Sequence, residues 1–385
     1  MIGKLIFWAS AVIILYVGAG YPLLVWLLRL CCSRRVRKAA ITPQVSLLVA
    51  ARNEASVIGA KVRNALALDY PHDRLEIVVV SDGSTDDTPE IVRTLAAAAG
   101  QDRVRLLNFR EHRGKLAVLN DAMPQLGGEI VVFSDATSML AEDSLRLLVE
   151  NFADDQVGAV SGIYRVAKEG SAALPSPDEL YWRYETLLKK NEAAIGGLTG
   201  AHGSLYAIRR SLYPFPSPRT INDDFVIPTS VLQKGFSIAY EPAAVSSEEV
   251  RVMTGFGRRV RLTAGNIEQL REARTLLSPL RPVPLLCFLS HKGGRLLLPP
   301  ALLALLISNT LMASLPGYRW VLWAQIVFYG LALAAALVRK SWGLLGLPLY
   351  LCAVNAAWFV WLYRALFGGR SPSLSGDSDR PVEWS

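Results

Sequence analysis

The sequence predicts an α/β fold in which a mainly parallel sheet carries helices on both faces, with transmembrane helices at both ends of the chain. Three observations support this prediction. Short apolar runs rich in β-branched residues alternate with helical patterns from residue 44 to about residue 165. Polar turn residues follow each run. Long apolar segments lie before and after the polar middle region, which indicates membrane flanks.

Composition limits the classes of partner. Of the 385 residues, 51% are hydrophobic and 19% are charged, and the net charge is +8. Much of the basic charge lies beside the apolar segments, as expected for cytoplasmic flanks of membrane spans. We therefore interpret it as a sign of membrane orientation and predict no nucleic-acid partner.

The N-terminal segment, residues 1–40, is predicted to be a membrane anchor with a basic cytoplasmic flank. Leu5 to Leu28 is apolar and long enough to span a bilayer. Most of the charge follows this stretch, whereas a cleaved signal peptide carries its charge before the apolar region. The N-terminus is therefore expected outside, and the chain from residue 29 onward in the cytoplasm. The basic flank comprises Arg29, Arg34, Arg35, Arg37 and Lys38.

Residues 41–278 are predicted to form the cytoplasmic domain. Right-handed crossovers between parallel strands place the strand ends on one edge of the sheet. The predicted strands are 45–50, 75–80, 104–108, 130–134 and 157–164. The predicted helices are 55–68, about a dozen residues from Thr88, 115–123, about 141–152, and 176–195.

Four polar clusters follow the first four strands. They are Arg52-Asn53-Glu54, Asp82, His112-Arg113-Gly114-Lys115 and Asp135-Ala136-Thr137. Asp82 is expected just beyond the end of its strand, where ligands bind in open α/β sheets. Asp82-Gly83 alone could be only a turn. Four clusters at successive strand ends indicate one shared site.

Four later features each have more than one interpretation. The helix carrying Trp182 either docks on the core or forms an acceptor-side wall near the membrane, and His202 in the small-residue loop 199–204 is either structural or a substrate contact. Asp223-Asp224 could be a solvated helix start or a catalytic pair. The basic cluster of Arg258, Arg259 and Arg261 could be a solvated face, a patch facing anionic lipid, or a phosphate-binding group.

The C-terminal third returns to the membrane. Residues 279–295 are too broken and polar to span and are predicted to be interfacial. Three spans are predicted within 296–367, at Leu296–Leu315, Trp320–Val338 and Leu344–Phe367. Pro299-Pro300 should kink or delay the first of these helices. The basic link Arg339-Lys340 is expected in the cytoplasm, and the tail 368–385 outside and disordered.

The clusters suit a sugar donor joined to a nucleoside diphosphate. Asp82 can accept a hydrogen bond from the base. Asp135 can bind Mg²⁺, which takes one or two carboxylates and completes its shell with phosphate and water, and Lys115 can face the phosphates. Asp224 or Asp223 can take the proton from the attacking hydroxyl. The arginines can steady the departing diphosphate; they are Arg258, Arg259 and Arg261.

Six motifs then resemble those of the family 2 glycosyltransferases. They are ARNE at 51–54, DGSTDD at 82–87, RGK at 113–115, SDAT at 134–137, DD at 223–224 and RRVRL at 258–262. The resemblance covers roughly residues 42–275 and is to the membrane-bound branch of cellulose, chitin, hyaluronan and poly-N-acetylglucosamine synthases. It implies a GT-A fold, a cytoplasmic UDP-sugar, Mg²⁺ or Mn²⁺, and inversion at the anomeric carbon.

The resemblance also implies residue roles. Asp82 would bind the base, Asp135 with Thr137 would occupy the metal motif, and Asp224 would be the general base, preceded by the acidic Asp223. His202 and Trp182 are the acceptor-side candidates. The predicted nucleotide-sugar contacts are Arg52, Asn53, Glu54, Asp82, Lys115, Asp135, Arg258, Arg259 and Arg261.

Three positions depart from the family pattern. Thr137 replaces the second metal-motif carboxylate, Arg258 replaces a Gln, and Leu262 replaces the Trp that lies near the acceptor in processive synthases. The sequence thus predicts a multi-pass glycosyltransferase of the plasma (inner) membrane that uses a polysaccharide or glycolipid acceptor. Two alternatives stay open: transfer of a single sugar to a lipid-linked acceptor, and a nucleotide-sugar-binding regulatory subunit. Oligomeric state is not predicted.

Overall fold

The computed structural model describes residues 1–100, 103–167, 177–249, 256–338 and 346–367. Within these ranges the central element is a sheet of eight strands in the order β3-β2-β1-β4-β7-β6-β8-β5. The strands are β1 (Val45–Ala51), β2 (Leu75–Asp82), β3 (Val104–Phe109), β4 (Ile130–Asp135), β5 (Met139–Leu140), β6 (Val157–Ala167), β7 (Tyr206–Arg209) and β8 (Ser237–Glu249).

One half of the sheet is parallel, as the alternation of strands and helices predicts. β1 lies between β2 and β4, and β3 pairs with β2. The register pairs Ala51 with Ser81 and Ala50 with Asp135, so the carboxyl ends of these strands meet at one edge. All seven residues of β1 are buried, as expected for a strand covered on both faces.

The other half of the sheet contains three strands that the sequence did not reveal. β7 pairs antiparallel with β4 and β6, β8 runs parallel to β6, and β5 pairs antiparallel with β8. β5 and β7 contain only two and four residues, and β8 includes a polar stretch with a proline. None of the three carries the continuous apolar run that identifies a buried parallel strand.

Helices cover both faces of the parallel half and continue into the membrane flanks. They are α1 (Ile2–Leu15), α2 (Tyr21–Cys32), α3 (Ile58–Leu66), α4 (Thr88–Ala99), α5 (Lys115–Ala122), α6 (Ser144–Glu150), α7 (Pro177–Ala194), α8 (Asp223–Gln233), α9 (Phe256–Leu276), α10 (Pro282–Phe288), α11 (Gly294–Leu311), α12 (Pro316–Val338) and α13 (Leu347–Phe367). α3 begins three residues later than predicted, because residues 52–57 form a loop that bonds to the turn after β2.

Two apolar cores sit on opposite faces of the sheet. Leu48 points into one and Leu47 into the other, following the two-residue period of a strand. α5, α8 and α9 contribute to the first core, and α3, α4 and α6 to the second. A fully buried Leu or Val side chain contributes roughly 1.5–3 kcal/mol, so these cores fix the positions of the strand ends.

Four helical stretches of the described chain are long and apolar enough to cross a membrane. They are Ile2–Cys32, Pro282–Leu311, Pro316–Val338 and Leu347–Phe367. The first and second are continuous through π-helical turns at Tyr16–Gly20 and Leu289–Gly293. Residues 282–295 therefore belong to the second stretch. No break in the helix marks the predicted boundary between the interfacial segment and the span. Pro299-Pro300 lie inside α11 and do not delay it.

Three predictions fall outside the described residues. The link Arg339-Lys340 and the tail 368–385 both lie there, as does the predicted start of the last span at Leu344. The expectations about their side of the membrane and their order therefore stay predictions.

Candidate active site at the carboxyl edge of the parallel strands

Asp82 is the last residue of β2 and not, as expected, the residue beyond it. Its carboxylate is completely buried. Oδ1 accepts a hydrogen bond from the Arg113 backbone N–H at 2.8 Å and Oδ2 one from Gly114 N–H at 2.9 Å, while His112 Nδ1 lies 2.8 Å from Oδ2. Asp82 thus holds the loop that leads into α5, so it orders the site in addition to any contact with a ligand.

Gly83 allows this approach of two loops. Its φ is +64°, and a Cβ at this position would lie 2.5 Å from the His112 backbone nitrogen. Only glycine combines a left-handed backbone with so close a contact. The Asp82-Gly83 turn is therefore required by packing as well as by chain reversal.

The loop after β1 is hydrogen-bonded to the turn after β2. Asn53 has a φ of +56°, and its Oδ1 accepts a hydrogen bond from Thr85 N–H at 2.8 Å. Glu54 N–H donates to Thr88 Oγ1 at 2.8 Å. Arg52 belongs to the same loop. Its Nε is buried and has no hydrogen-bond partner in the described part of the chain. Because an unpaired buried donor is costly, it can serve an incoming acceptor group.

Lys115 connects two carboxylates from distant parts of the chain. It begins α5, and its Nζ lies 2.9 Å from Asp135 Oδ1 at the end of β4 and 3.2 Å from Asp223 Oδ1 at the start of α8. The hydroxyl of Tyr206 in β7 donates to Asp223 Oδ2 at 2.9 Å. The Lys115 and Asp135 side chains retain 23% and 18% of their surface exposed, so a ligand can reach them.

The electrostatics of this cluster follow from burial and from the excess of carboxylates. Burial lowers the pKa of Lys115, but Asp135 and Asp223 outweigh it and hold this pKa above its ordinary value. Burial also raises the pKa of Asp135, because Lys115 compensates only part of the desolvation and Asp223 adds like charge. Lys115 therefore stays protonated and provides a fixed positive charge for an anionic ligand.

Asp224 lies next to the small-residue loop. Its backbone oxygen accepts a hydrogen bond from Ala201 N–H at 2.7 Å, and a Cβ on Gly203 would lie 3.5 Å from Asp224 Oδ2. Burial and the charge of Asp223 raise the pKa of Asp224, against the opposing charges of Lys292, Lys189 and Lys115. Asp223 is only 7% exposed, so the alternative of a solvated helix start is wrong.

The predicted metal motif contacts the carboxylate of Glu248, which the sequence analysis did not identify. Thr137 Oγ1 donates to Glu248 Oε1 at 2.5 Å and Ser138 Oγ donates to the same oxygen at 2.9 Å. No group of three or more His, Cys, Asp and Glu that could hold a metal occurs among the described residues. The donors near the motif are carboxylate and hydroxyl oxygens, which fit a hard divalent ion that takes its remaining ligands from phosphate and water.

Lys61 is a second residue that sequence reasoning missed. It is fully buried, and its Nζ donates to Ser134 Oγ at 2.7 Å and to the Ser138 carbonyl. Burial lowers its pKa to about 7, although Asp135 and Glu248 oppose this shift. The signal was present, because Lys61 lies on the buried face of α3 with Ile58, Val62 and Ala65.

The acceptor-side candidates contact each other. The Trp182 and His202 rings lie 5.6 Å apart, and His202 Nε2 is 3.3 Å from the Tyr240 hydroxyl. Burial, with a smaller effect of Lys189, holds the pKa of His202 well below its usual range, so this imidazole is neutral. The Trp182 Nε1 is buried without a partner among the described groups. His202 therefore has structural contacts, and only Trp182 has an unused donor.

α7, which carries Trp182, also docks on the N-terminal membrane helix. Tyr21 of α2 donates its hydroxyl proton to Glu192 Oε1 at 2.6 Å, and Arg29 Nη1 donates to Asn191 Oδ1 at 2.8 Å. The docking interpretation of this helix therefore has direct contacts. The acceptor-wall interpretation rests on the position of Trp182 next to His202.

The arginine cluster lies in α9. The Arg259 guanidinium lies over the Tyr350 ring of α13, 4.4 Å from its centroid. The Arg258 side chain is outside the described part of the structure. α9 packs on the start of α8 through a hydrogen bond of 2.8 Å from Asn222 Nδ2 to the Gly265 carbonyl. The predicted diphosphate contacts of Arg258, Arg259 and Arg261 stay predictions.

The chain is similar to proteins that build glycolipids and polysaccharides. It is 32% identical over 176 residues to a β-monoglucosyldiacylglycerol synthase of a Nostoc species, which covers 44% of this chain and 36% of the relative. It is 26% identical over 232 residues to poly-β-1,6-N-acetyl-D-glucosamine synthase of Staphylococcus aureus, which covers 59% and 55%. The matches thus span about a third to about half of the length of these curated relatives.

A solved structure resembles nearly the whole chain. The mannosyltransferase PcManGT from Pyrobaculum calidifontis, in complex with GDP-Man and Mn²⁺, superposes with a TM-score of 0.71 at 25% identity. The superposition covers 95% of this chain and 100% of that one. The predicted GT-A α/β fold with membrane helices at both ends is thereby confirmed.

The family is given by a match across the α/β part of the chain. The family model described as "Glycosyltransferase like family 2" matches residues 43–275, more than half of the chain and nearly the range over which the six motifs carry the resemblance. The chain therefore belongs to the family 2 glycosyltransferases.

Proposed function

We propose that this enzyme transfers a hexosyl or N-acetylhexosaminyl unit from a UDP-sugar to a saccharide or lipid acceptor, with inversion at the anomeric carbon. Transfer takes place at the cytoplasmic face of the plasma membrane. The observation that carries the proposal is the position of Lys115 between Asp135 and Asp223, next to Asp224. This cluster combines a fixed cation for a diphosphate with carboxylates for a metal and for proton transfer.

Asp224 is the proposed general base. The acceptor hydroxyl attacks the anomeric carbon, its proton passes to the Asp224 carboxylate, and the bond from that carbon to the diphosphate oxygen breaks. The raised pKa of Asp224 supports this role, because a more basic carboxylate accepts a proton more readily. Asp223 is already bound by Lys115 and Tyr206, so it is proposed to orient this site.

The nucleotide side uses the loops after the first three parallel strands. Asp82 orders the 112–114 loop and provides the carboxylate edge for the base. Arg52 Nε, buried without a partner in the described chain, is placed to donate to the donor nucleotide. Asn53 and Glu54 shape the same loop through their bonds to the 84–88 turn.

Asp135 and Thr137 are proposed to hold Mg²⁺ or Mn²⁺ together with the donor diphosphate. When bound, the ion stabilises the negative charge that builds on the leaving diphosphate. Lys115, whose Nζ lies 2.9 Å from Asp135 Oδ1, would stabilise the same charge. A Mn²⁺ ion in the similar mannosyltransferase complex supports the use of a divalent metal here.

Single-sugar transfer to a lipid-linked acceptor is the second candidate. Leu262 is 56% exposed where processive synthases carry a Trp near the acceptor. An aliphatic side chain cannot stack on a sugar ring as an aromatic one does. A relative that makes a glucosylated diacylglycerol supports this candidate, and one that makes a polymer supports the first.

Purified full-length protein in detergent tests the proposal with radiolabelled UDP-sugars and GDP-mannose. We expect one UDP-sugar to give metal-dependent transfer to added lipid or oligosaccharide. A product ladder on a gel supports polymer synthesis, and one discrete product supports single transfer. Turnover only with GDP-mannose overturns the donor assignment. Nucleotide binding without turnover of any donor favours a regulatory subunit and overturns the proposed activity.

A further inference from the structure

The metal motif has lost one of its two carboxylates at Thr137, and the fold brings another one to the same place. β5 and β8 pair antiparallel, with Met139 opposite Ser247 and Leu140 opposite Ser246. This register carries Glu248 alongside the turn that follows Asp135. The replacement carboxylate thus comes from a strand more than a hundred residues further along the chain.

Glu248 is bound to the motif turn through hydroxyl groups. Oε1 accepts from Thr137 Oγ1 at 2.5 Å and from Ser138 Oγ at 2.9 Å, and Oε2 accepts from the Tyr164 hydroxyl at 3.1 Å. These three donors occupy both lone pairs of Oε1 and one lone pair of Oε2, so one lone pair of Oε2 stays free. Hydroxyls can also rotate, so these bonds can rearrange when a cation approaches.

Glu248 makes no ion pair with a described residue. It is only 5% exposed, yet no Lys, Arg or His nitrogen of the described residues lies within 4.0 Å of it. Glu241, on the same strand and 3% exposed, instead pairs with Lys38 and accepts a hydrogen bond from Asn151 at 3.1 Å. Buried carboxylates are normally paired with a cation or bound to a metal. Glu248 thus has the environment of a metal ligand, and Glu241 that of an ion-pair partner.

Lys61 approaches the same turn from the core side. Its ammonium group donates to Ser134 Oγ at 2.7 Å and to the Ser138 carbonyl, so it supports the turn from beneath. Its pKa near 7 indicates that this buried charge is weakly stabilised. Lys61 therefore only partly offsets the combined charge of Asp135 and Glu248.

We propose that Glu248 supplies the second carboxylate of the divalent-metal site and replaces the acidic residue that Thr137 displaced from the motif. Asp135 and Glu248 then provide two carboxylates, and the Thr137 hydroxyl is hydrogen-bonded to Glu248. This number of carboxylates is the one that Mg²⁺ commonly uses, with phosphate and water completing the shell. The inference rests on the proposed metal-dependent donor binding.

Direct measurement of Mn²⁺ affinity tests this proposal without relying on transfer. Electron paramagnetic resonance titration of the full-length protein in detergent, with and without UDP, gives the Kd of Mn²⁺. We expect Glu248→Gln and Asp135→Asn each to weaken Mn²⁺ binding by roughly 10- to 100-fold. The control Glu241→Gln should leave the Kd unchanged. An unchanged Kd in Glu248→Gln overturns the proposal.

A second substitution, at Thr137, shows whether Glu248 is a metal ligand or only stabilises the turn. If Glu248 is a ligand, Thr137→Asp in the Glu248→Gln background should restore most of the lost Mn²⁺ affinity, because the carboxylate returns to the motif. If Glu248 only supports the turn, Thr137→Asp should change the Kd by the same factor in the Glu248→Gln background as in the unaltered protein. Glu248→Asp, which keeps the charge, gives the same test should Glu248→Gln fail to fold. An intermediate Kd is expected there, and an unchanged Kd contradicts the proposal.

The outcomes also distinguish this inference from the proposed function. Transfer that proceeds without any metal overturns the role of Glu248 and leaves the transferase activity intact. Glu248-dependent Mn²⁺ binding in a protein that turns over no donor supports the metal site and overturns the activity.

Discussion

The Lys115 ammonium nitrogen lies 3.2 Å from a carboxylate oxygen of Asp223, although the two residues belong to motifs far apart in the chain. Lys115 follows the third strand, whereas Asp223 begins α8, which lies between β7 and β8 along the chain. This contact joins the proposed nucleotide side of the site to the proposed acid–base side. Both sides can therefore act on one ligand, and the following predictions examine each side.

Lys115→Met should weaken donor binding and lower stability together. The substitution leaves Asp135 and Asp223 without their shared cation, which costs about 1–3 kcal/mol for partly exposed groups. We expect a loss of UDP affinity of roughly 10-fold or more, because a charge-assisted contact to the diphosphate is lost. Calorimetric titration and thermal unfolding measure the two effects. Lys190→Met, on the exposed face of α7, should change neither.

Asp82→Asn should loosen the 112–114 loop. The amide keeps the size of the side chain but places an NH₂ group against the Arg113 or Gly114 N–H donors, which costs about 1–3 kcal/mol for each unsatisfied buried group. Hydrogen exchange of the loop amides should quicken, and UDP affinity should fall. The matched change Asp121→Asn removes only the exposed ion pair with Arg113. Equal effects of the two substitutions would show that Asp82 has no special role.

Asp224→Asn should abolish transfer while nucleotide binding persists. The variant removes the proton acceptor and keeps the shape of the side chain, so we expect turnover to fall by roughly 10²- to 10⁴-fold. UDP affinity, measured by calorimetry, should stay close to that of the unaltered protein. Asp155→Asn, at an exposed position, is the control. Retention of most turnover in Asp224→Asn would show that another group takes the proton.

Glu272→Gln should stabilise the protein at neutral and higher pH. Burial, with the charges of Glu268 and Asp224, raises the pKa of Glu272 to about 7 despite a hydrogen bond from Thr220. The protonated form is thus favoured in the folded state, and its contribution to stability is lost as the pH rises through about 7.

The expected readout for Glu272→Gln is a thermal midpoint that changes less with pH. At pH 5 the variant and the unaltered protein should unfold at similar temperatures, and near pH 8 the variant should unfold at a higher one. Scanning fluorimetry across this range measures both. Glu90→Gln is the control, because the Glu90 side chain is 70% exposed. Parallel pH profiles for Glu272→Gln and the unaltered protein would refute the assignment.

The part of the site that β7 and β8 contribute could not be predicted from the sequence. β7 brings Tyr206 to Asp223, and β8 brings Glu248 to the metal motif. Both strands lack a long apolar run, and their pairing partners are distant in the chain. Local pattern therefore carries no information about which side chains they place in the site.

The sequence by itself determined the parallel strands, the membrane flanks, the family motifs and the clustering of polar residues at strand ends. These features are local, because buried parallel strands need continuous β-branched runs and membrane helices need long apolar ones. Tertiary structure alone decided the rest. It gave Asp82 its hydrogen bond to the 112–114 loop and placed the Arg259 guanidinium over the Tyr350 ring. It also brought Lys61 and Glu248 next to the predicted metal motif. Those roles depend on strand register and helix packing, which bring together residues that no local pattern relates.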